Sequence, residues 1–155
     1  MERANAWELL REYNKDHFHL QHALTVEAVM RWYANELGYG DEAEFWGIVG
    51  LLHDLDWEEH EDDPMNHTIY AAEILEGEGA SPELIRAIQT HTSDFNTSLP
   101  KPELQMEKIL FACDELTGLI GAAVIMRPSK SVMDFTTKSL KKKFKDKRFA
   151  AGCSR

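Results

Sequence analysis

The chain has little of what extracellular and membrane proteins need. Only two of its 155 residues are cysteines, Cys113 and Cys153, and they form no CxxC pair. No segment resembles a secretory signal, and the longest nearly apolar stretch, residues 116–126, is too short to span a bilayer. We therefore expect a cytoplasmic protein that works in a reducing compartment without a membrane attachment.

Strand patterns and several common catalytic motifs are also missing. No run of alternating β-branched residues is bounded by turns, so β-strands are not expected. The sequence has no P-loop, no GxGxxG, no HExxH and no serine nucleophile elbow. These absences argue against the enzyme classes that such motifs define.

Charge is plentiful but unevenly distributed. The formal net charge is −10, yet residues 1–137 carry 9 basic and 26 acidic side chains, whereas residues 138–148 carry 7 basic and one acidic. The acidic body argues against nucleic acid as a partner. The basic segment is best interpreted as a solvated helix face, and contact with a phosphate group is the alternative.

Capping residues and apolar periodicity predict one all-α domain over residues 1–155, with its core at about 18–126. An acidic loop is expected at residues 56–63, and Arg148–Arg155 is either a disordered tail or the start of an incomplete element. The first expected helices cover about residues 4–13 and 18–37, the second of them closed by Gly38, and a third runs from Asp41 through the apolar stretch 45–52. Two more run from Asn66 to Gly77 and from Ser81-Pro82 to His91. The last two are a long helix at about 103–126 and a basic helix at 136–148, capped by Thr136.

Ionisable side chains occur on the inward faces of these helices. His22 shares an apolar stripe with Val26 and Val29, and His53-Asp54 ends the most hydrophobic helix of the chain. His67, His91 and Asp114 lie on the apolar faces of three further helices. A lone histidine in such a position is usually a core residue, but a buried carboxylate without a partner costs several kcal/mol.

A divalent metal would satisfy all of these groups at once. Four histidines and two aspartates without a thiolate favour a borderline or hard ion, namely Mn, Fe, Co, Zn or Ni. With six ligands, either one or two ions could bind. Asp54 is able to bridge two of them because a carboxylate has two oxygens.

The ordered set His22, His53-Asp54 and Asp114 resembles the H…HD…D signature of the HD-domain metal-dependent phosphohydrolases. The string 51–56, LLHDLD, resembles the HDIG version, with Asp56 in place of its glycine. His67 and His91 match the extra histidines of the subgroup with two metals. The resemblance covers residues 18–126 and is closest to small stand-alone HD proteins known only as predicted hydrolases.

This resemblance implies a compact helical bundle with a metal site at its centre. Asp54 would be shared between two ions. The first ion would be held by His22, His53, Asp54 and Asp114, and the second by Asp54, His67 and His91. We expect Asp56 to be a solvated loop residue, with contact to a metal-bound water as the alternative.

The implied activity is hydrolysis of a small phosphoester or nucleotide by a metal-activated water. Asp54 would be catalytic through the metal and Asp94 is the candidate general acid, while Arg127 and Lys130 are candidate substrate contacts. Two alternatives remain: an HD-fold di-iron oxygenase, which uses the same six ligands, and a metal-binding sensor without catalysis. A homodimer also stays open.

Overall fold

The structure, a computed structural model, describes residues 1–151, and every regular element in this part of the chain is helical. The all-α fold expected from the sequence is thereby confirmed. Among these residues, no helix combines the length and apolar character needed to cross a membrane. The α-helices are α1 (Arg3–Tyr13), α2 (His17–Glu36), α3 (Ala43–Leu52), α4 (Trp57–His60), α5 (Ile69–Gly77), α6 (Pro82–Thr90), α7 (Gln105–Ile125) and α8 (Thr137–Lys145), with 3-10 turns at Gly40–Glu42 and Val132–Asp134.

The chain divides into two compact units, Met1–Phe111 and Ala112–Arg155. Helix α7 begins in the first unit and ends in the second. The expectation of one domain over residues 1–155 is not decided by this division and stays a prediction. Residues 147–151 form turns, and the rest of the predicted tail, with Cys153, lies outside the described residues.

Helix α3 is the centre of the first unit. The apolar stretch found in the sequence is buried over residues 46–52, and α3 packs against α1, α2 and α6. Gly50 permits the close approach of α2, because a Cβ at this position would lie 2.9 Å from the carbonyl oxygen of Val26. This packing places the carboxyl end of α3, where His53 and Asp54 follow, inside the unit.

Several helix ends lie where the sequence predicts them. The Ser81 side chain accepts a hydrogen bond from the Leu84 amide, and Pro82 opens α6. Gly38 follows the end of α2 with a φ of 86°, a conformation that glycine adopts without steric cost. In the second unit, Thr136 caps α8 through the Ser139 amide.

Other helix starts differ from the prediction. Helix α5 begins at Ile69 with Thr68, not Asn66, at its N-cap. Helix α3 begins at Ala43, after the 3-10 turn that contains Asp41. The predicted acidic loop contains α4, and its Glu58 accepts hydrogen bonds from the backbone amides of residues 15 and 16.

In the second unit, α8 is the basic helix expected from the sequence. None of its residues is buried, which agrees with the interpretation of a solvated helix face. Residues 127–134 are held by Arg127, whose guanidinium donates to the carbonyl oxygen of Asp134 at 3.1 Å and to its carboxylate at 2.9 Å. This loop connects α7 to α8.

Candidate metal centre

Two histidines enter the site from the carboxyl ends of helices. His53 directly follows α3 and His91 directly follows α6. The Nδ1 atom of His53 donates to the Gly50 carbonyl at 2.8 Å, and that of His91 donates to the Ile88 carbonyl at 2.6 Å. In each case the acceptor is a carbonyl of the last helical turn, so the helix end itself orients the ring.

Four of the seven histidines in the first unit surround Asp54. Its Oδ2 lies 3.2 Å from Nε2 of His53 and 3.6 Å from Nε2 of His22. Its Oδ1 lies 3.1 Å from Nε2 of His67 and 3.6 Å from Nε2 of His91. The two oxygens of one carboxylate therefore face two separate pairs of histidines.

This donor set fits a pair of divalent ions. The ligand atoms of His22, His53 and Asp54 lie within 4.8 Å of one another, and so do those of Asp54, His67 and His91. Imidazole nitrogens and a carboxylate are the donors that Mn, Fe, Co, Zn and Ni accept, and no thiolate is among them. The structure thus brings five of the six sequence-predicted ligands together in the first unit.

The electrostatics are those of a carboxylate surrounded by basic rings. Burial alone would raise the pKa of Asp54, but the charge of His53 and hydrogen bonds from three histidines hold it well below its usual range. Burial would lower the pKa of His67, yet its hydrogen bonds to Asp54 and Asp56 outweigh this and raise it to about 9.

Asp56 is not the solvated loop residue that the sequence analysis expected. It is 1% exposed, and its Oδ1 accepts a hydrogen bond from Nδ1 of His67 at 2.8 Å. Its Oδ2 accepts from the backbone amides of Thr68, at 2.8 Å, and Ala71, at 3.2 Å. The carboxylate is buried because the chain supplies three donors to it, from residues 11 to 15 positions away.

Thr68, which the sequence analysis did not single out, has a left-handed backbone. Its φ is 70°, unusual for a β-branched residue, and it is fully buried. Its amide donates to Asp56, and its hydroxyl lies 2.9 Å from that of Thr92. This backbone lies directly between His67 and the start of α5, and propensity patterns carry no signal for it.

The remaining sequence candidates lie on other elements of the chain. Asp94 is exposed in the turn after α6. Asp114 lies on α7, in the second unit, as do Arg127 and Lys130 of the following loop. His19 is half-buried, and its Nδ1 lies 3.0 Å from a carboxylate oxygen of Glu58. The roles of Asp94, Arg127 and Lys130 stay predictions.

Four imidazoles that converge on one carboxylate, in a part of the chain whose described elements are all helical, form the donor set of a metal-binding protein. The profile of a family described as the HD domain matches residues 20–119, which is more than half of the chain. The chain therefore belongs to the HD domain family, a family of metal-dependent hydrolases. No curated protein and no solved structure matches it significantly.

Proposed function

We propose that the protein is a metal-dependent phosphohydrolase that acts on a small phosphoester or nucleotide. The observation that carries this proposal is Asp54, whose two oxygens face two different pairs of histidines. Such a carboxylate is suited to bridging two ions, an arrangement common in enzymes that hydrolyse phosphoesters. The acidic charge of residues 1–137 favours a small phosphorylated substrate over a polyanion.

In this proposal the histidine pairs define the two metal positions. His22, His53 and Asp54 would hold one ion, and Asp54, His67 and His91 would hold the other. Asp114 is added to the first position because of the family resemblance alone. Bound ions would supply Lewis acidity, which lowers the pKa of a bound water towards ~7 and offsets charge on phosphoryl oxygens.

The other residues are given roles by the chemistry that phosphoester hydrolysis requires. Water attacks phosphorus in line, the P–O bond to the leaving group breaks, and the leaving oxygen needs a proton. Asp94, three residues after His91 and exposed, is proposed as its source. Arg127 and Lys130 are proposed to bind the phosphate, although for Arg127 this competes with its ion pair to Asp134.

The test is phosphate release from a panel of nucleotides and phosphomonoesters in the presence of Mn²⁺, Co²⁺ or Fe²⁺. The wild type should turn over at least one of them, and Asp54→Ala should not. Glu27→Gln is the matched control, because Glu27 is also a buried carboxylate but pairs with arginines instead of the site histidines. Turnover that survives in Asp54→Ala would exclude this site as its source.

An HD-fold di-iron oxygenase is the second candidate, because four imidazoles and a bridging carboxylate suit iron equally well. Oxygen consumption that requires iron, without phosphate release, would favour it. Metal binding with neither activity would favour a sensor. A cytoplasmic location and a homodimer stay predictions.

A further inference from the structure

Among the rings around Asp54, the ring of His67 is held differently from those of His53 and His91. His53 and His91 donate from Nδ1 to neutral backbone carbonyls three residues before them. His67 donates from Nδ1 to the carboxylate of Asp56, which is buried and lies 11 residues earlier in the chain. His67 has no helix end to orient it, because it precedes α5.

The same carboxylate also binds the backbone amides that directly follow His67. One oxygen of Asp56 accepts from the ring, and the other accepts from the amides of Thr68 and Ala71. The amide of Thr68 belongs to the residue with the left-handed φ of 70°, a conformation that a threonine keeps only when its surroundings hold it there. Asp56 thus determines both the backbone path and the ring orientation at His67.

We propose that Asp56 is a positioning residue for the metal position formed by Asp54, His67 and His91. It keeps the proton of the His67 ring on Nδ1 and thereby leaves the Nε2 lone pair facing Asp54 for the ion. The inference rests on the metal ligands of the proposed function, and it adds a residue that touches no ion itself. A carboxylate partner also makes the ring a stronger donor to a metal than a carbonyl partner does.

The substitution Asp56→Asn tests the effect of Asp56 on the His67 ring separately from its effect on the backbone. The asparagine oxygen can still accept from the amides of Thr68 and Ala71, so the backbone keeps both of its contacts with residue 56. The amide nitrogen then faces Nδ1 of His67 and can only donate to it. The neutral ring must place its proton on Nε2, which removes the lone pair that the ion needs.

Glu107→Gln is the matched control. Glu107 is fully buried and accepts from the amides of Glu103 and Leu104 and from the Arg86 guanidinium. Like Asp56, it is a buried carboxylate with two backbone donors and one side-chain donor. Any general cost of replacing such a group by its amide will appear in both variants, whereas a change at His67 will appear only in Asp56→Asn.

The experiment is titration of wild type, Asp56→Asn and Glu107→Gln with Zn²⁺ against a chromophoric chelator. Long-range ¹H–¹⁵N spectra of the histidine rings are recorded in the same samples. We expect two zinc ions per wild-type chain. In Asp56→Asn one of them should bind roughly 10–100-fold more weakly, and the His67 proton should move to Nε2. Glu107→Gln should match the wild type in both measurements.

Each other result overturns the inference. Unchanged zinc affinity and an unchanged His67 proton in Asp56→Asn would show that Asp56 only fills space. Equal weakening of both zinc ions, or the same loss in Glu107→Gln, would show a structural effect. All three results would leave the phosphohydrolase proposal standing, whereas a wild type that binds no zinc would defeat both.

Discussion

The first unit contains two carboxylates enclosed by basic side chains, the buried Glu27 and the partly exposed Asp54, and they differ in the partners that satisfy them. Glu27 accepts two hydrogen bonds from Arg3, at 2.9 and 2.8 Å, and one from Arg31 at 3.1 Å. Asp54 instead faces four imidazole nitrogens. Arginine is always protonated and has no lone pair to offer, whereas a protonated histidine can lose a proton and bind an ion through the ring nitrogen that this frees.

The comparison shows which carboxylate has permanent cationic partners and which has partners that a metal ion can replace. The Glu27 cluster is neutralised by permanent cations, so a divalent ion placed there would be repelled. Protonated histidines around Asp54 offset its negative charge, and a divalent ion can take over this role when they lose their protons. Burial of a carboxylate is therefore a poor indicator of a metal site unless its partners are also identified.

The largest expected effect is that of Asp54→Ala. Both metal positions share this carboxylate, so the variant should bind neither ion at concentrations that saturate the wild type, with at least ~100-fold weaker affinity. Its helical content, measured by circular dichroism, should survive because the α3 core is unchanged. Equal metal content in variant and wild type would show that the ligands have been assigned wrongly.

The next effect is that of Glu27→Ala, which should leave metal binding intact but lower stability. Removal of one partner from a buried ion pair costs about 3–5 kcal/mol. Both arginine side chains are about a third exposed, at 38% and 32%, and can turn to water, so we expect about 2 kcal/mol. Urea denaturation and zinc titration measure the two properties separately. If Glu27→Ala lost zinc binding as well as stability, the Glu27 cluster and the histidines around Asp54 could not be treated as independent.

A smaller loss is expected from Gly50→Ala at the contact between α2 and α3, the helices that carry His22 and His53. The new Cβ would lie 2.9 Å from both the Val26 carbonyl oxygen and a Met30 carbon, so the helices must move apart at about 1–2 kcal/mol. Gly77→Ala is the control, because its Cβ would meet no atom within 4 Å. Thermal unfolding should show a lower midpoint only for the first variant.

The smallest effect concerns acid stability at the Glu27 cluster. Burial would raise the pKa of Glu27, but Arg3 and Arg31 outweigh it and the folded-state pKa lies below the ordinary 4.5. A lowered pKa means that the stabilisation is complete above about 4.5 and is lost as the pH falls through the folded-state value. The stability difference between wild type and Glu27→Gln should therefore shrink between pH 6 and pH 3. A difference that stays constant would contradict it.

The sequence was sufficient for the parts of the site that follow helical periodicity. His22 and the His53-Asp54 pair could be placed because apolar spacing and a hydrophobic helix mark inward faces. Ser81-Pro82 and Thr136 could be placed because capping is local chemistry. The family signature supplied the pairing of His67 with His91, which no local pattern contains.

What could not be predicted depends on contacts between distant residues. Aspartate is a common residue in loops, and only the fold brings the ring of His67 and two backbone amides to Asp56. The start of α5 was misplaced for the same reason, because Thr68 is held in its left-handed conformation by Asp56 and Thr92. A short-range sequence signal cannot reveal a carboxylate whose hydrogen-bond donors lie 11 to 15 residues later in the chain.

The positions of His53 and His91 at the ends of α3 and α6 have a further consequence for long-range electrostatics. Peptide dipoles along a helix add up to about half a negative charge at its carboxyl end, worth roughly 0.3–1 kcal/mol for a nearby cation. Two such ends converge on one carboxylate. The backbone itself thus gives the centre a negative potential, and a divalent ion would be attracted there before any histidine gives up a proton.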